Sequence, residues 1–117
     1  MKYFVLLAGY GELPPWDQMS PEEQEAMFAD FGAFDAACAE RPGVELLAGE
    51  ALEDASMTTT VRTRDGAFTI TDGPFAEATE HIGGFYLVEA PNLDTITELC
   101  RILPAYDIEI RPVVDMG

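Results

Sequence analysis

The side chains best suited to chemistry fall in one turn and at a few isolated positions. Asp72 opens the turn Asp72-Gly73-Pro74-Phe75, and the chain's single histidine, His81, follows shortly after. An imidazole ordinarily titrates at about 6.5, near neutrality. Asp72 and His81 are therefore the candidate acid and base of a proton-transfer site. If the intervening stretch is helical, Glu77 faces His81 and favours its charged form. Both residues also have plainer readings. An Asp-Gly-Pro turn can use its carboxylate to cap nearby N–H groups. Pro74 then fixes the backbone, Phe75 rests on a sheet, and His81 is a solvated surface residue. In the functional reading, Phe75 instead walls a pocket.

Two further charges stand out. Arg111 lies in an alternating segment, on the face opposite Ile108 and Ile110. It can pair internally with Glu50 or Asp72, or bind an anionic group in a cavity. Glu50 follows Gly49 in a strand-like run rich in Leu and Ala, where a carboxylate must be paired, solvated or protonated. With Tyr10 on the rim, a ligand site is expected between sheet and loop, bounded by Tyr10, Glu50, Asp72, Phe75, His81 and Arg111.

Other chemistries lack their signatures. One histidine among scattered carboxylates is far from a zinc pattern, and no spaced motif points to a hard cation. Gly83-Gly84 opens a strand rather than a helix, so it is read as a bulge or a close backbone approach and not as a phosphate loop. No nucleophile elbow occurs. Cys38 and Cys100 sit in apolar helical patterns and read as reduced core residues. The Phe28, Phe31 and Phe34 region reads as core. Any reaction is expected to be acid–base chemistry with no cofactor and no metal.

The elements that must position these groups follow from periodicity. Residues 2–9 form a continuous apolar run, read as a buried strand. Ser20-Pro21-Glu22-Glu23 is a helix start, with Ser20 as cap, Pro21 in the first turn and Glu23 reaching back. Met27, Phe31, Phe34 and Cys38 supply the buried stripe, and Pro42-Gly43 ends the helix. Residues 44–52, 58–62 and 67–71 read as strands, the last two joined by an Asp65-Gly66 turn. A strand from Gly83 to Glu89 leads to a helix capped by Asn92 and stopped by Pro104. Residues 107–114 form the last strand. Two strand–helix–strand units, 2–52 and 83–114, thus flank a hairpin. This predicts an α+β fold: a ferredoxin-like sandwich of two βαβ units with an inserted β-hairpin, in one domain over residues 1–117. Both helices should cover one sheet face. The other face is apolar too, so a homodimer with sheets face to face is expected.

The chain's 117 residues carry 22 acidic and 6 basic side chains, a formal charge of −16, with 48% apolar residues. That apolar content excludes a disordered acidic tail. The scattered arginines cannot build the basic patch that nucleic acid or an anionic membrane surface requires. No apolar run is long enough for a membrane span. With reduced cysteines, a cytoplasmic location is expected.

The Asp72-Gly73-Pro74-Phe75-Ala76-Glu77 turn, Glu80 and Gly83-Gly84-Phe85-Tyr86 together resemble the YCII-related superfamily, in the branch named for the Asp-Gly-Pro-Phe motif. Lys2-Tyr3, Ser20 to Glu23, Ala48 to Leu52 and Glu109 to Val113 extend the resemblance over nearly the whole chain. It implies a dimeric α/β barrel in a cytoplasmic, mostly bacterial protein, similar to proteins found beside extracytoplasmic-function sigma factors. A His–Asp catalytic pair proposed in the wider superfamily does not carry over, because His81 lies away from the first helix. Two functions are therefore expected as alternatives. One is a small-molecule-binding homodimer, with enzymatic activity left open. The other is a regulatory module whose acidic surface steers it to a sigma factor.

Overall fold

Lys2 to Gly9 form β1, whose alternation sets the layers of the whole molecule. Tyr3, Val5 and Leu7 are buried, while Phe4 and Leu6 between them are only half-buried. The computed structural model describes residues 1–9, 11–73 and 82–117. After β1 come α1 (Pro21–Glu40), β2 (Glu45–Ala51), β3 (Thr59–Arg64), β4 (Ala67–Asp72), β5 (Gly84–Glu89), α2 (Leu93–Cys100) and β6 (Asp107–Pro112). Single 3₁₀ turns lie at Trp16–Gln18 and Ala55–Met57.

Local chemistry sets the helix starts as expected, while α2 ends at Cys100, ahead of the expected stop at Pro104. The Glu23 N–H donates to Ser20 Oγ at 3.1 Å, and the Ser20 N–H donates to Glu23 Oε1 at 2.9 Å. This reciprocal pair satisfies two N–H groups that the first helical turn leaves free. At α2 the Thr95 N–H donates to Asn92 Oδ1 at 2.9 Å. Asp65 and Gly66 both take positive φ, 52° and 78°, the combination that a tight type I′ hairpin turn between β3 and β4 requires.

Four strands form one sheet in the order β2-β5-β1-β6, with every neighbouring pair antiparallel. β1 and β2 are therefore parallel but flank β5, and β5 and β6 are parallel but flank β1. The two βαβ units interleave, which gives the ferredoxin-like α+β fold. Both helices cover the Tyr3–Val5–Leu7 face. Phe34 and Cys38 of α1 and Leu99 of α2 pack with Leu7, while Ile96 packs with Tyr3, Val5 and Val88.

Among the described residues, no helix covers the opposite face. Register places Phe4 beside Leu87 and Arg111, and Leu6 beside Phe85 and Glu109. The Phe4 and Phe85 rings stack there at 5.6 Å. β3 and β4 form a separate two-stranded sheet. Their pairing brings Val61, Ile70 and Phe68 to one face of the hairpin, and all three are largely exposed.

The Ser20 cap supplies a direct test of this local logic. Ser20→Ala should lower unfolding free energy by about 0.5–2 kcal/mol, read from urea denaturation, with the fold unchanged by circular dichroism. No change in midpoint would show that α1 does not depend on its cap.

Candidate functional site

β2 is an edge strand, and a wide cleft follows it. This cleft has a volume of about 1040 Å³ and runs between β2, the middle of α1 and the 3₁₀ turn at Trp16. Its aromatic walls come from distant parts of the chain. Pro14-Pro15 leads into the turn, which α1 holds through the Gln24 Nε2 group donating to the Trp16 carbonyl at 3.0 Å. The Trp16 ring meets Phe28 edge to face, with centroids 5.3 Å apart. Phe31 lies 6.2 Å from Tyr106, and Tyr86 lies 4.7 Å from the buried Phe34.

Two glycines make room for the two tyrosines. A Cβ at Gly49 would fall 2.6 Å from the Tyr86 ring, and one at Gly83 would fall 2.9 Å from the Tyr106 ring. Both distances are below any ordinary contact, so each ring lies flat against bare backbone. Here the expected close approach at Gly83 is realised.

The cleft's charged lining is of one sign. Asp17, Asp35, Glu50, Glu53 and Asp54 contribute carboxylates, and among the described residues no Lys, Arg or His lines it. Burial, reinforced by the nearby negative charge of Asp35, pushes the Tyr86 phenol up to about 12. Tyr86 therefore stays protonated at neutral pH and can donate a hydrogen bond. Burial likewise pushes the Cys100 thiol up to about 11 and raises that of Cys38, so neither is a ready thiolate. Both cysteines are free. Among the described residues, no three His, Cys, Asp or Glu side chains gather as a metal site.

The residues singled out from sequence do not all meet here. Glu50 lines the cleft, beside Phe85 in the register. Asp72 ends β4, exposed and paired with Thr59. Arg111 is exposed on β6, on the helix-free face that its alternation predicts. Three strand spacings, roughly 14 Å, separate β6 from β2, so Arg111 and Glu50 stand at opposite sheet edges. Neither Asp72 nor Arg111 lines the cleft. Tyr10, Phe75 and His81 lie outside the described residues.

Sequence reasoning passed over Trp16, Phe28, Asp35, Tyr86 and Tyr106. Phe28, read as core, is 63% exposed on the cleft wall. Helical geometry carries the signal: Phe28 is about 120° round α1 from Phe34, outside the Met27–Phe34–Cys38 stripe.

The family model for the YCII-related domain matches residues 2–117. The chain belongs to the YCII-related family. It is also similar to an uncharacterised protein of Rhizobium meliloti (strain 1021), 31% identical over 97% of this chain and 92% of that protein. In this YCII-related chain the family match spans the whole sheet, both helices and every described residue of the cleft wall.

The raised phenol and thiol have a signed consequence. A group whose folded pKa is raised holds its proton while the unfolded chain has already lost it. Stability is then full below the unfolded value and falls as pH rises towards the folded one. For Cys100 and Tyr86 together, that decline should run from about pH 9 to about pH 12. Tyr86→Phe should flatten its upper part, and Asp35→Asn should shift the slow-titrating phenol downwards in an absorbance titration. A wild-type Tyr86 phenol that titrates near the ordinary value of 10 would contradict the assigned burial.

Proposed function

We propose that this YCII-related protein is a small-molecule-binding homodimer whose ligand occupies the cleft along β2. The observation that supports this is the cleft itself. It has the size of a small-molecule site, aromatic walls, and a few polar groups able to orient a guest. Phenol groups at Tyr86 and Tyr106 and the Asp35 carboxylate are the orienting set. The acid–base roles of Asp72 and His81 belong to the proposal as a second layer: turnover would need Asp72, which does not line the cleft, brought to the ligand. A cytoplasmic setting suits two free thiols.

The dimer is supported by the helix-free sheet face. Phe4, Leu6, Phe85 and Leu87 form a contiguous apolar patch there, which a second copy would cover face to face. The exposed Val61–Phe68–Ile70 face of the hairpin adds apolar surface suited to the same partner. Exposed Glu109 and Arg111 sit beside the patch, where they can pair across the junction.

Light scattering should show a species of twice the 12.8 kDa chain mass. Leu6→Glu, on the covered face, should shift it to monomers while circular dichroism keeps the folded signature. A wild-type monomer at micromolar concentration would overturn the dimer. A diverse metabolite panel should raise the melting temperature with at least one compound, and that shift should be lost in a Tyr86→Phe, Tyr106→Phe double variant. A panel with no stabilising compound would overturn ligand binding and leave the sigma-factor interaction as the reading to pursue.

A further inference from the structure

We infer that the cleft along β2 selects an organic cation, a protonated or quaternary amine carried on an apolar body. This rests on the small-molecule reading and gives it a ligand class. Three features of the cleft converge on it. The first is the sign of its charged lining: every ionised side chain on its wall, among the described residues, is a carboxylate. An anionic guest would find no counter-charge among the described lining residues, and the chain's −16 would oppose its entry.

The second feature is the aromatic wall. Trp16 and Phe28 are 40% and 63% exposed, so large ring surfaces stand open to the cleft. Ring faces carry negative charge density, and tryptophan attracts cations most strongly. Such rings also cover the apolar body of a guest, which water does poorly. Phe31 and Tyr106 continue this wall inward.

The third feature is the dispersal of the carboxylates. No three of the described His, Cys, Asp or Glu side chains come together as a cage. A bare metal ion needs several oxygens at once. An amine needs one carboxylate, a few acceptor oxygens and an apolar bed. Asp35, near the Tyr86 phenol, supplies the carboxylate, and the Tyr86 oxygen supplies an acceptor.

Trp16 is the chain's only tryptophan and lines the cleft, so its fluorescence reports on this site alone. Phenethylamine, phenethyl alcohol and phenylacetate share one aromatic body and differ in charge. Phenethylamine should change Trp16 emission with an affinity at least about tenfold above the other two. The preference should shrink with added salt and in Asp35→Asn, while phenethyl alcohol binding stays as it was. Phe28→Ala, at an exposed position, should weaken the amine and the alcohol alike. Equal or tighter binding of the alcohol or the carboxylate would overturn the cation assignment and leave a small-molecule cleft standing. Silence from all three probes in fluorescence and calorimetry would overturn the cation assignment. The metabolite panel then decides separately whether the cleft binds anything.

Discussion

A sheet that is apolar on both faces, with both described helices on only one, constrains everything else in this molecule. β1 shows the constraint residue by residue. Tyr3, Val5 and Leu7 point into the helices and are buried, whereas Phe4 and Leu6 point away and are half-covered. Full burial of one large apolar side chain is worth about 1.5–3 kcal/mol. Phe4, Leu6, Phe85 and Leu87 on the open face are half-buried, so part of that value for each stays unrealised in the monomer. The sheet therefore stabilises the monomer through one face and leaves half-buried apolar side chains on the other. Glu109 and Arg111 extend the same rows onto β6.

The same layering makes the cleft. β2 ends the sheet, and the chain before α1 crosses near it as the Pro15–Met19 turn. Between these, Gly49 and Gly83 leave bare backbone where the Tyr86 and Tyr106 rings settle. Phe34 anchors Tyr86 from the core side. The result is a wall fixed by packing, with Trp16 and Phe28 forming its outer part. Acidic side chains around it are what a chain this short of basic residues has to offer.

The fold was legible wherever local chemistry decides it. Ser20, Pro21 and Glu23 are adjacent in the chain, and so are Asp65 and Gly66, so capping and turn rules act on them directly. Alternation in β6 likewise puts Arg111 on the face opposite Ile108 and Ile110, away from the helices. The cleft was not legible because its walls are joined only by the tertiary fold. Trp16 meets Phe28 through a loop of no fixed period, and Phe31 meets Tyr106 across most of the sequence. Charged and turn residues such as Asp72 and Arg111 drew attention by their chemistry, whereas aromatic residues in apolar stripes resembled core. Only the off-stripe angle of Phe28 distinguished it.

The central claim is that a guest is held in the aromatic cleft along β2 and not on the helix-free face that carries Arg111. Backbone amide shifts of isotope-labelled protein, followed during titration with phenethylamine, separate the two places directly. Saturable shifts should concentrate in residues 16–18, 28–35, 46–54 and 83–86, which form the cleft. Shifts centred instead on Phe4, Leu6, Glu109 and Arg111, or spread evenly over the acidic surface, would contradict it.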